Sequence, residues 1–212
     1  MLDEAIALIQ NVLAAAEKRP KPTAEQELER FRHMLRLVEL GGVVRVRPYA
    51  VRLIDLQGGP ADVQEIVRHT DAAAKLAGKL TNSVDLKLQD WRREDNDETY
   101  IVYGPALEAL FDKAQYVAAW VHFYRGMALP AGSPEKDTEL NRANIVLQYF
   151  TDNEDSGVMH VSRLLAGRCA RELAVSQTGR LRKAQADERA VMAELARTTD
   201  ATRKQTLQER WQ

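Results

Sequence analysis

The chain has 212 residues, 45% of them hydrophobic and 29% charged, with 30 Lys and Arg against 31 Asp and Glu. A formal charge of −1 leaves no electrostatic footprint for nucleic acid or an anionic membrane surface. A single cysteine, Cys169, excludes an intrachain disulfide and a thiolate zinc cluster. A chain of this size buries roughly 70% of its unfolded surface, as one large domain, two small ones or an array of repeats.

The first stretch, MLDEAIALIQNVLAAAEK, spaces Leu2, Ile6, Ile9 and Leu13 at i, i+4, i+7 and i+11, the pattern of an amphipathic helix. Asp3 and Glu4 stand where a secretory signal carries positive charge, and no run approaches the ~20 apolar residues of a membrane span. These features predict no membrane partner and a cytoplasmic location, although the chain ends inside a helix-like stretch, LQERWQ, and can be a piece of a longer one. Thr23 with Gln26 reads as a capping box opening a second helix, with Leu28, Phe31, Leu35 and Val38 inward and Gly41-Gly42 as its stop. Pro48 opens a short third helix ending at Gly58-Gly59, and Pro60 a fourth with Val63, Ile66, Val67, Ala74 and Ala77 inward. A fifth carries Val84, Leu88 and Trp91 before REDNDE interrupts.

The sixth helix is predicted from Pro105 to Leu129, the seventh over 135–151, the eighth over 157–173 and the ninth over 179–197. All seven prolines fall at helix edges in this reading. Residues 43–46 and 99–103 are β-branched and aromatic, suiting either short strands or extended connections. The fold class expected is all-α: antiparallel helix pairs stacked as a solenoid, or a multi-helix bundle. The interruption at REDNDE divides it into regions 1–95 and 96–212, unless the two form one continuous domain.

In the sixth helix Glu108, Asp112, Gln115 and His122 fall at i, i+4, i+7 and i+14, one narrow polar strip with Arg125 beside it. Both flanks are apolar from Ala114 onward, as expected of an inner helix packed on two sides. Shifting the chain by 41 residues sets Val117 on Val158, Trp120 on Val161, Phe123 on Leu164, Tyr124 on Leu165, Gly126 on Gly167 and Ala128 on Cys169. Ala143 then meets Ala184, and Phe150 meets Val191. Over residues 114–197 the chain resembles a tetratricopeptide-type helical repeat. FYRGMAL and LLAGRCAREL are similar to its first helices and RANIVLQYF to a second. The family's 34-residue period is not kept and no proline closes the units. The resemblance implies a scaffold with a peptide-binding groove lined by first helices. Side-by-side first helices would bring His122, Arg125, His160 and Arg163 into one mildly basic groove for a protein or acidic peptide partner.

Other chemistry is sparse. His33, His69, His122 and His160 lack a second metal ligand at i+3 or i+4, and the first three read as solvated. DNEDSG (152–157) places Arg163 where a calcium loop needs glutamate at position twelve, and DNDETY lacks the glycine at position six. Cys169 falls on an apolar face with Val161, Leu165 and Leu173, as a buried small hydrophobe. RVRPYAVR sets Arg45, Arg47 and Arg52 around Tyr49; it can grip a phosphate, or pair with Asp55 or Glu65. Leu181, Ala184, Val191 and Leu195 form a thin stripe, a terminal cap or a coiled partner face, so homo-oligomerisation through a terminal helix is a further expectation. The pattern as a whole predicts a non-enzymatic interaction module without cofactor or metal. The alternative is a helical bundle that binds a small molecule, or acts as an enzyme, through an inward polar cluster; another is an oligomeric structural component.

Overall fold

The computed structural model describes residues 1–18, 20–93, 97–152 and 157–197. The fold is all-α, with seven α-helices and one π-helical segment, and no strand among the described residues. The α-helices are α1 (Leu2–Glu17), α2 (Ala24–Val38), α3 (Arg47–Ile54), α4 (Pro60–Trp91), α5 (Asp97–Ala128), α6 (Pro134–Asp152) and α7 (Met159–Arg197). The π-helical segment, Glu39–Val44, continues α2. None of these helices is long and apolar enough to cross a membrane.

Several local signals act as the sequence predicts. Thr23 Oγ1 accepts from the Gln26 amide at 3.3 Å while Gln26 Oε1 accepts from the Thr23 amide at 3.2 Å, satisfying two orphan donors of α2. Leu28, Phe31, Leu35 and Val38 are all buried. Pro60 opens α4, where Asp62 accepts from the Gly59 amide at 2.9 Å.

The element count differs from the expectation, because long helices were read as pairs. The predicted fourth and fifth helices are the single α4, and the eighth and ninth are the single α7. Pro105 lies inside α5 rather than at its start. Residues 99–103 belong to α5, not to a strand, and 43–46 close the π-helical segment. At 99–103 the longer pattern decides: Tyr100, Tyr103, Leu107, Leu110 and Ala114 advance by three and four residues and all pack on one core. Gly41-Gly42 does not stop α2 but loosens it into the π-helical turn.

α5 connects two cores. Along most of its length, as far as Val121, it packs with α2 and α4 through Phe31, Val38, Leu80, Val84, Leu107 and Val121. Its second half packs with α3, α6 and α7 through Val46, Ala50, Phe123, Leu140, Leu147 and Leu165. α4 and α5 therefore meet across the 95/96 boundary. Two close approaches allow this crowding. A Cβ on Gly42 would lie 2.4 Å from Ala73 Cβ and 2.8 Å from Val121 Cγ2. A Cβ on Gly126 would lie 2.7 Å from Leu140 Cγ.

At the 41-residue register Tyr124 with Leu165 and Ala128 with Cys169 are buried in both copies, but other pairs differ. Phe123 is buried whereas Leu164 is 60% exposed, and Ala143 is buried whereas Ala184 is exposed. Gly126 abuts Leu140, but nothing lies within 4 Å of a Cβ on Gly167. The helices give no sign of a tetratricopeptide-like unit. Of the thin stripe on α7, Leu181 and Ala184 are exposed; the side chains of Val191 and Leu195 lie outside the described residues.

The Gly42 crossing yields a paired test. Gly42→Ala forces backbone shifts in a packed core and should cost roughly 1–3 kcal/mol in urea denaturation. Gly41→Ala meets open space and should be neutral or stabilising by up to about 1 kcal/mol. Equal costs at both positions would contradict the close crossing.

Candidate functional site

The polar strip of α5 faces a groove walled by α4 and α6. A cavity of about 500 Å³ lies there, lined by Thr81, Asn82 and Asp85 of α4, Gln115 and His122 of α5, and Arg142, Ile145 and Val146 of α6. A second chamber of about 340 Å³ shares Asp85, Phe111 and Gln115 with it and extends to Arg92, Glu108, Asp112 and Tyr149. The strip repeats at helical spacing, so its side chains emerge in line along the groove floor. α6 answers with Arg142, Ile145 and Tyr149 at three- and four-residue steps; Ile145 is 68% and Tyr149 54% exposed.

Each end of the strip is fixed by ionic contacts. At the first, Glu108 Oε1 accepts from the Tyr100 hydroxyl at 2.7 Å and from Arg92 at 2.5 Å. These two bonds hold its carboxyl below the ordinary carboxylate range. At the other end Glu139 of α6 is only 6% exposed. Its carboxylate meets His122 Nδ1 at 2.6 Å, Arg142 at 3.2 Å and Arg125 at 3.9 Å. Burial pushes its pKa up; the His122 hydrogen bond and the charges of His122, Arg125 and Arg142 outweigh burial and leave it lowered. Arg125 also approaches Asp71 Oδ1 of α4 at 2.7 Å, a contact close in distance but not aligned as a hydrogen bond.

Between the two ends lie carboxylates without a cation. Asp85 receives only an amide, Gln89 Nε2 at 2.9 Å. Asp112 has no ion pair or hydrogen bond among the described residues, and burial, with the charge of Glu108, pushes its pKa up. The lining arginines are already committed, Arg92 to Glu108 and Arg142 to Glu139. The groove therefore leans acidic, where the sequence suggests a mildly basic surface.

The four predicted site residues divide into two pairs. His122 and Arg125 converge on Glu139. His160 and Arg163 stand in the first turns of α7, where His160 is exposed and Arg163 donates to the Thr151 carbonyl of α6 at 3.2 Å. α6 packs against both α5 and α7. His33, His69 and His122 are half-buried rather than solvated, and His69 sits 3.2 Å from Glu65.

Elsewhere Arg52 pairs with Asp62, not with Asp55 or Glu65, and stacks 5.0 Å from the Tyr49 ring centre; Arg45 pairs with Asp3. Cys169 is fully buried, and burial pushes its thiol up to about 12, which removes it as a nucleophile at neutral pH. Positions 153–156 of DNEDSG and 95–96 of DNDETY lie outside the described residues. No group of three or more His, Cys, Asp or Glu is placed to hold a metal among the described residues.

Glu139, Asp71 and Asp85 escape a strip-by-strip reading, since each lies on a neighbouring helix. One signal was present: Glu139 shares a helical face with Ala143 and Phe150, an acid on an otherwise apolar stripe. No family model matches the chain, and neither a curated protein nor a solved structure matches it.

These charges set a pH dependence. Glu139 has a lowered folded-state pKa, so its stabilising contribution is complete above the ordinary value of 4.5 and is lost as pH falls through the folded value. Glu139→Gln should be less stable than wild type at pH 7 in urea denaturation, with the gap closing toward pH 3. Asp112 has the opposite sign: its folded-state pKa is raised, so its charge opposes folding at neutral pH and ceases to do so below 3.8. Asp112→Asn should therefore be more stable at pH 7, with the advantage vanishing in acid.

Proposed function

We propose that this chain is a non-enzymatic helical interaction module whose α4–α5–α6 groove receives a protein segment carrying basic and apolar side chains. The observation that carries this reading is the pairing pattern. Asp85 and Asp112 face the groove without cationic partners, whereas its arginines are neutralised. Exposed Ile145 and Tyr149 on the α6 wall supply apolar contact beside them. From Glu108 to Arg125 the floor runs roughly 25 Å at about 1.5 Å per residue, the span of a short amphipathic helix. A cytoplasmic setting is part of the same reading. α1, which buries no residue, and the exposed stretch of α7 from Leu181 are the faces open to a second copy.

A second reading rests on one geometric feature. With Nδ1 bonded to buried Glu139, the His122 ring is held at the edge of a cavity of about 500 Å³. A fixed imidazole in such a cavity is placed to act as a general base on a small molecule.

Peptide display separates the two readings. Binders selected on the wild-type chain should be enriched in Lys or Arg spaced with apolar residues at i, i+3, i+4 and i+7. Asp85→Arg with Asp112→Arg should weaken them at least tenfold, and Ile145→Ser should weaken them as well. Binders that ignore all three changes would sink the groove reading. A small molecule whose thermal stabilisation of the chain is lost in His122→Asn would favour the second.

A further inference from the structure

On the other side of α6 from the groove, α5 borders a different pair of chambers. One, of about 430 Å³, is lined by Arg47 of α3, Arg168 of α7 and Tyr124 of α5 over an apolar floor that includes Trp120 and Val43. The second, of about 600 Å³, shares Trp120 and Val43 with the first and is lined also by the edge-to-face pair Tyr116 and Phe150, by Tyr149, and by Glu39, Asp112 and Lys113. Each lies within the size range of small-molecule sites, about 300–1,000 Å³. They adjoin at Trp120 and Val43, and the two cations line the first.

Most arginines of the described residues are paired, although Arg163 bonds only a carbonyl and Arg30 lies only over the Phe31 ring. Arg32, Arg36, Arg45, Arg52, Arg68, Arg92, Arg125, Arg142 and Arg180 each have a carboxylate partner. Arg47 and Arg168 have none among the described residues, and both line the first chamber with Tyr124. The Tyr124 hydroxyl makes no hydrogen bond to a described residue. Burial pushes its pKa up, while the charges of Arg47 and Arg168 pull it down, which places both guanidiniums within electrostatic reach of that hydroxyl. Two like charges held together at an apolar chamber, with a phenol donor beside them, present five-donor forks suited to a carboxylate or phosphate.

We infer that the first chamber binds an anionic amphiphile, with its carboxylate between Arg47, Arg168 and Tyr124 and its acyl chain lying over Trp120, Val43, Val51 and Ile54. The first chamber shares no lining residue with the groove, although the second meets the groove at Asp112 and Tyr149, and the inference does not depend on the groove reading. No bond is made or broken; the ligand is held by two charge-assisted hydrogen-bond donors and by burial of its chain.

Titration calorimetry with monomeric dodecanoate tests the inference, with dodecylammonium as the charge-reversed control. Wild type should bind dodecanoate at least tenfold more tightly than dodecylammonium. Arg168→Glu and Arg47→Glu should each weaken dodecanoate at least tenfold. Arg47 is exposed, so its variant serves if Arg168→Glu fails to fold. Asp85→Arg, in the groove, should bind dodecanoate as wild type does. Equal affinity for the two amphiphiles, no binding of dodecanoate, or indifference to both arginine changes would overturn the site. Co-sedimentation with anionic phospholipid vesicles without binding of monomeric dodecanoate would also overturn it, assigning the two arginines to a membrane surface instead.

Discussion

The carboxylate of Glu139 is the constraint on which the arrangement around α5 depends. A charge removed from water is stable only where several donors surround it. Here His122 comes from α5, Arg142 from α6 itself, and Arg125 reaches from α5 toward both Glu139 and Asp71 of α4. Three helices thus meet at one ionic node. The node lies beside the tight contact of Gly126 with Leu140, so α5 and α6 are drawn together by packing and by charge at the same place.

That node also partitions charge over the surface. It uses the cations nearest the groove, and so leaves Asp85 and Asp112 to set the sign of its centre. Beyond α6 the reverse holds: Arg47 and Arg168 are left without carboxylates over an aromatic floor. One helix, α5, therefore borders an acidic groove and, at Trp120 and Tyr124, a chamber lined by two arginines. Trp120, Phe123 and Tyr124 pack together as the sequence suggests, with Phe123 and Tyr124 buried in one core, and Trp120 and Tyr124 also line the chamber beside Arg47 and Arg168.

Much of the fold was legible because period and capping agree. The α2 stripe and its capping box, the proline starts of α4 and α6, and the buried Cys169 all follow from local chemistry. Pro105 and the β-branched run before it misled, because the tertiary fit of Tyr100 and Tyr103 outweighs local propensity. The polar strip of α5 was visible from spacing alone. Its acids Glu108 and Asp112 were visible too, but the pairing that neutralises its cations was not, since Glu139, Asp71 and Asp85 arrive from neighbouring helices. The convergence of Arg47 with Arg168 is also nonlocal; only half of it was present in RVRPYAVR.

The central claim is that Glu139 and His122 act as one unit tying α6 to α5. A double-mutant cycle tests it most directly: unfolding free energies of wild type, His122→Ala, Glu139→Gln and the double variant, at pH 7 and low salt. A hydrogen bond involving a charged, largely buried group predicts a coupling of about 1–3 kcal/mol. Additive losses, with coupling below about 0.3 kcal/mol, would contradict it and leave α5 and α6 joined by apolar packing alone.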